Sequence, residues 1–141
     1  MVLECSRSQS LRATNEPKMA QRILVVDDSS IIRSHCRAVL QKAGYEVVEA
    51  WDALQARTAL KNMNIAFVLC DLNIPGMNGM ELIEAMRKEP KFATLPAAII
   101  TAECTTELLK RANQIGVTHW LLKPYKAEEL LDVVARFAGP P

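Results

Sequence analysis

The 141-residue sequence predicts an α/β fold, with one five-stranded parallel sheet carrying helices on both faces. Three observations lead there. Five short runs rich in Val, Ile and Leu read as strands, and four of them are nearly pure hydrocarbon, as strands buried on both faces should be. Five stretches with apolar residues at helical spacing alternate with them. Each strand-plus-helix unit takes roughly 20–30 residues, too long for a hairpin and right for a crossover between parallel strands.

Arg22-Ile23-Leu24-Val25-Val26 is the first strand, ended by Asp27-Asp28-Ser29-Ser30. Ser29 or Asp28 can cap the following helix, because a short oxygen-bearing side chain accepts from the free N–H groups of a first turn. In that helix Ile31, Ile32, His35, Cys36, Val39, Leu40 and Ala43 make one apolar face, and Gly44 stops it. His35 is expected to pack on or beside that face rather than to catalyse. The second strand, Tyr45 to Ala50, alternates more and belongs near a sheet edge. Asp52 can cap a helix to about Asn62, with Ala53, Leu54, Ala56 and Leu60 facing inward.

The third strand is the run Ile65 to Cys70, closed by Asp71. Behind it the pairs Pro75-Gly76 and Asn78-Gly79 mark a loop. A short helix from Gly79 to Lys88 turns Leu82, Ile83 and Met86 inward and breaks at Glu89-Pro90. Pro96 opens the fourth strand, Ala97 to Thr101. A helix from about Thr105 to Ile115 ends at Gly116. The fifth strand, Val117 to Leu122, meets Lys123-Pro124, and a last helix from about Lys126 to Ala138 places Leu130, Val133, Val134 and Phe137 on one face. Residues 1–20 mix Ser, Arg, Gln, Asn, Glu and Pro without periodicity and read as a flexible tail, leaving 21–139 as one domain.

Half of the residues are hydrophobic and the formal net charge is +1, so bulk charge points to neither nucleic acid nor an anionic membrane. No apolar run approaches the roughly 20 residues of a membrane helix, and the N-terminus lacks the apolar core of a secretory signal. The expected location is cytoplasmic. Cys5, Cys36, Cys70 and Cys104 are widely spaced, and Cys36 and Cys70 fall at apolar positions, which reads as small core residues in a reducing compartment.

The informative feature is where the strands stop. Strand one ends on Asp27-Asp28, strand three on Asp71, strand four on Thr101 and strand five on Lys123. In a parallel sheet all C-terminal ends share one edge, so these groups converge, at the edge where α/β proteins bind ligands. Helix capping explains part of Asp27-Asp28. It explains neither Asp71, which runs into a loop, nor Lys123, which Pro124 follows at once. Three carboxylates crowded together repel, and desolvation would raise their pKa values. A hard divalent cation relieves this, and Mg²⁺ commonly joins carboxylates to a phosphate. Lys123 and the Thr101 hydroxyl would then face phosphate oxygens. A carboxylate can itself be the nucleophile, forming an acyl phosphate, when the donor is energy-rich.

The set Asp27-Asp28, Asp71 with Asn73 and Pro75-Gly76-Met77-Asn78-Gly79, Thr101-Ala102 and Lys123-Pro124 resembles the CheY-like response-regulator receiver domain, over about residues 22–138. The resemblance implies a flavodoxin-like fold with strand order 2-1-3-4-5. It implies that Asp71 accepts a phosphoryl group from the phosphohistidine of a histidine kinase or phosphotransfer protein, or from a small phosphodonor. Mg²⁺ (or Mn²⁺) would be bound by Asp28, Asp71 and the main-chain carbonyl of Asn73, with Asp27 acting mainly through water. Lys123 would pair with the phosphoryl oxygens, and Thr101 would move to bond them. Trp120 takes the place where the family usually carries Tyr or Phe, as the switch aromatic of the helix 4–strand 5–helix 5 face or else as a fixed surface aromatic, and its indole N–H would want a partner when buried. That face would dock a downstream protein, and Glu107, Lys110, Arg111, Asn113 and Gln114 either offer polar contacts on it or form a solvated face. Asn73 and Glu103 would tune the phosphate lifetime.

The chain would be a phosphoacceptor with self-catalysed phosphorylation and autodephosphorylation, not a turnover enzyme. Other readings compete. A receiver cut from a larger regulator would share every motif, with DNA-binding or enzymatic output elsewhere. A flavodoxin-like nucleotide or flavin binder would want a Gly- or Ser/Thr-rich phosphate loop where Asp27-Asp28 stands. An aspartate-nucleophile phosphatase would want a second Asp at position 73.

Overall fold

The structure is a computed structural model and describes residues 20–141. Apart from Ala20, the expected tail lies outside the described residues, as does Cys5. The chain alternates β1 (Arg22–Val26), α1 (Ser30–Lys42), β2 (Glu46–Ala50), α2 (Ala53–Asn62), β3 (Phe67–Asp71), α3 (Gly79–Arg87), a 3-10 turn at Pro90–Phe92, β4 (Ala97–Thr101), α4 (Thr106–Ile115), β5 (His119–Leu122) and α5 (Ala127–Ala138). All strand pairs are parallel and the order is β2-β1-β3-β4-β5, the flavodoxin-like arrangement expected. The more alternating strand β2 is indeed an edge.

Successive residues of a strand point to opposite faces, so the hydrocarbon runs feed two cores. Leu24, Val26, Val68, Cys70 and Ile99 pack against Ala53, Ala56 and Leu60 of α2, Leu82, Ile83 and Met86 of α3, and Ala112 and Ile115 of α4. Ile23, Val25, Phe67, Leu69, Ala98 and Ile100 pack against Cys36 and Leu40 of α1 and Leu130, Val133 and Val134 of α5. Burying a side chain the size of Phe67 or Leu69 stabilises by about 1.5–3 kcal/mol, and both are fully enclosed. Register then sets the functional edge: Val26 pairs with Cys70, Asp71 with Ile100 and Thr101 with Leu122. Asp27, Asp71, Thr101 and Lys123 therefore emerge side by side.

Three helical positions differ from the sequence reading. Leu54 is 74% exposed, because α2 turns Ala53, Ala56 and Leu60 to the sheet and the next residue points about 100° away. Ile31 is 80% exposed for the same reason, since Ile32, Cys36 and Leu40 take the inner face of α1. His35 is exposed rather than packed, with its ring 6.5 Å from that of Tyr125. β5 starts at His119, later than expected, because the Thr118 side chain supplies the contact there: its Oγ1 accepts from the Ala97 N–H at 3.0 Å. Cys36 and Cys70 are buried, unbridged core residues, as their apolar positions required.

Candidate functional site

Each acidic group arrives on a structured turn. Ser29 caps α1, its Oγ accepting from the Ile32 N–H at 3.3 Å. Its own N–H donates to Asp27 Oδ1 at 2.9 Å, which ties that carboxylate to the start of the helix. Asp71 is the last residue of β3, and the following turn is fixed where Leu72 N–H meets the Ile100 carbonyl at 3.3 Å. Carboxylate oxygens of Asp27, Asp28 and Asp71 lie within 4.8 Å of one another. Asp27 is buried, Asp71 half-buried and Asp28 exposed.

The Lys123 Nζ reaches this group from the turn after β5, 3.6 Å from Asp71 Oδ1 and 3.8 Å from Asp27 Oδ2. Its main chain is held by a 2.9 Å bond from the Lys123 N–H to the Thr101 carbonyl, and the Lys123–Pro124 peptide is cis. One ammonium against three carboxylates leaves net negative charge. Burial pushes the Asp27 carboxyl up, the Ser29 N–H opposes this, repulsion from Asp71 adds to it, and Lys123 and Asp28 act more weakly in opposite senses. The ammonium lowers it by less than burial raises it. Every donor is an oxygen and the charge is uncompensated, so the residues present fit a hard divalent cation.

Around the acid cluster lie the remaining expected residues. Thr101 is buried, and its Oγ1 accepts from the Glu103 N–H at 3.2 Å. The Trp120 Nε1–H donates to the Glu103 carbonyl at 3.0 Å, so the indole has the partner that a half-buried Trp needs. Asn73 Nδ2 lies 3.5 Å from Glu103 Oε2 across the mouth of the site. All eight residues picked out from the sequence thus gather at one edge. Arg111, one of the polar groups expected on the α4 face, turns to α3 and pairs with Glu84 at 3.0 Å.

Two contributors went unnoticed in the sequence. Arg33 donates to the Asp27 carbonyl at 2.6 Å, and the Tyr125 hydroxyl meets the Cys36 thiol at 3.1 Å behind Lys123. A lone arginine on an amphipathic helix carries no motif; Tyr125 could have been flagged by its place beside Lys123-Pro124.

The sequence profile of the response regulator receiver domain matches residues 23–135. The chain belongs to that family. As a receiver it resembles chemotaxis protein CheY-3 of Vibrio cholerae, 37% identical over 112 residues that make up 79% of this chain and 86% of the relative. Its fold superposes on Vibrio cholerae chemotaxis protein CheY4 with a TM-score of 0.81 at 33% identity, covering 84% of this chain and 99% of that one. It also superposes on the receiver domain of a Pseudomonas aeruginosa sensor histidine kinase, solved with a magnesium ion in its active-site cleft. There the TM-score is 0.78 at 26% identity, covering 86% and 99% of the two chains. This is a CheY-like receiver of two-component signalling. No helix among the described residues is long and apolar enough to cross a membrane.

Proposed function

We propose that the receiver accepts a phosphoryl group on Asp71 from the phosphohistidine of a histidine kinase or phosphotransfer protein. The observation that carries this is the Asp71 carboxylate at the end of a buried strand, with Asp27 and Asp28 on one side and the Lys123 ammonium 3.6 Å away. An Asp71 oxygen attacks phosphorus, the P–N bond breaks, and the imidazole leaves with its electron pair, giving an acyl phosphate. Protein groups do little covalent chemistry in such a transfer; they position and neutralise. Asp28, Asp71 and the Asn73 carbonyl would hold Mg²⁺ (or Mn²⁺), with Asp27 acting through water. Bound there, the cation offsets phosphoryl charge. Lys123 pairs with the phosphoryl oxygens. Thr101 turns its hydroxyl from the Glu103 N–H to the phosphoryl group and reports its arrival.

Asn73 and Glu103 stand across the mouth, where they set how readily water reaches the acyl phosphate. Trp120 relays the change to the α4–β5–α5 face, where a downstream protein docks. The site stops near one phosphoryl per chain and is not a turnover enzyme. The setting is cytoplasmic.

The test is labelling by phosphoramidate in Mg²⁺. The parent should take up close to one phosphoryl per chain and Asp71→Asn none, by intact-protein mass. Stoichiometric labelling of Asp71→Asn would move the acceptor elsewhere.

A further inference from the structure

Arg33 lies in the first turns of α1, and only 12% of its side chain is exposed. Its guanidinium reaches three groups. Nη1 donates to the Asp27 carbonyl at 2.6 Å, Nε donates to Glu49 Oε1 at 3.1 Å, and the guanidinium carbon sits 6.0 Å from the Trp51 ring centroid. Glu49 is fixed in turn by Arg37, at 2.5 Å from its other oxygen. The anchor is therefore the edge strand β2, and the clamped group is a turn of the functional site.

The Asp27 carbonyl belongs to the peptide unit that joins Asp27 to Asp28. Turning that plane changes ψ of Asp27 and φ of Asp28, the torsions that flank the two carboxylate-bearing residues. The other end of Asp27 is already fixed, since its N–H donates to the Ala50 carbonyl at 3.0 Å. The Ser29 N–H holds one oxygen of its carboxylate, and Arg33 holds the peptide that leads on to Asp28. The planar fork presents Nη1 to the carbonyl and Nε to the Glu49 carboxylate at a fixed spacing, which a single lysine ammonium does not reproduce.

We propose that Arg33 is a positioning residue for the divalent cation: it clamps the Asp27–Asp28 peptide so that both carboxylates converge with Asp71. This rests on the metal role given under the proposed function. Charge alone predicts the opposite effect. A cation beside three carboxylates weakens metal binding, so removing it should tighten the site. A packing role predicts a lower melting temperature with unchanged affinity.

The experiment is Mn²⁺ binding to the unphosphorylated full chain, read from the electron paramagnetic resonance signal of free Mn²⁺. Arg33→Gln and Arg33→Lys should both raise Kd by about tenfold or more, the usual effect of losing a group that orients a metal ligand. Glu49→Gln, which loosens the anchor, should weaken binding in the same direction by less. Saturating Mg²⁺ should restore phosphoramidate labelling of both Arg33 variants. Parental or tighter Mn²⁺ binding by Arg33→Gln overturns the proposal, as does parental affinity in Arg33→Lys. If Arg33→Gln does not fold, Arg33→Lys decides alone, since it keeps the charge and the aliphatic stem. A parent that binds no Mn²⁺ would instead sink the metal reading itself.

Discussion

Asp27 is where burial and charge conflict most. It is 4% exposed, its carboxyl is pushed above 3.8 by desolvation, and Asp71 and Asp28 repel it. A carboxyl raised in the folded chain takes its proton there before it does in the unfolded chain. Its ionised form therefore costs stability at neutral pH, and that cost fades as pH falls through the raised pKa towards 3.8. Asp27→Asn keeps an acceptor for the Ser29 N–H and removes the charge. Without metal, this variant should be more stable than the parent at pH 7 by on the order of 1 kcal/mol. Urea unfolding in EDTA measures it, and the gain should shrink steadily on acidification. A variant destabilised at neutral pH would show a carboxylate well served by Ser29 and Lys123. The sequence revealed that three carboxylates share an edge, because strand ends in a parallel sheet must. It did not reveal which one is buried, since that depends on the turn bonds made by Ser29 and Arg33.

At the scale of elements, α3 docks directly on β3, the strand that ends on Asp71. Asn78 caps it reciprocally: its side chain accepts from the Glu81 N–H and its own N–H donates to the Glu81 carboxylate, both at 2.9 Å. Gly79 is the next residue, and a Cβ there would lie 2.4 Å from the Asp71 carbonyl oxygen and 2.9 Å from Ile99 Cδ1. Its N–H donates to the Leu72 carbonyl at 2.7 Å, so it cannot simply retreat. Gly79→Ala must push α3 or the end of β3 aside. It should cost about 1–3 kcal/mol, as overpacking does, and slow phosphoramidate labelling because Asp71 shifts. Thermal unfolding and the labelling rate check both effects; a parental Tm would mean that α3 yields freely. The pair Asn78-Gly79 read from the sequence as loop punctuation, and the close approach that demands the glycine could not be seen there. Strands were legible because burial on both faces leaves hydrocarbon with few alternatives. Helix faces were less so: Leu54 and Ile31 are apolar yet sit one residue beside the true inner stripe.

Across the whole molecule, topology gathers the site and one residue joins it to the surface. Thr101 holds the Glu103 N–H, and Trp120 holds the Glu103 carbonyl. Trp120 also packs with α4 residues on the core that β3 and β4 share. The expectation that Trp120 would seek an indole partner followed from its chemistry; that the partner is Glu103, two residues beyond Thr101, needed the loop in three dimensions. The consequence is a mechanical link. If a phosphoryl group on Asp71 draws the Thr101 hydroxyl towards itself, the Glu103 N–H loses its acceptor. The loop that carries the Trp120 partner then moves. Beryllium fluoride with Mg²⁺, which mimics the aspartyl phosphate, should therefore change the emission of Trp120. Trp51 is 52% exposed and emits too, so the measurement belongs in a Trp51→Phe background. Adding Thr101→Ala should abolish the change while leaving the mimic bound, as fluorine NMR can verify. A signal that survives Thr101→Ala would route the coupling past Glu103. An unchanged emission in the Trp51→Phe chain would make Trp120 a fixed aromatic, and the α4–β5–α5 face would then have to answer phosphorylation by another path.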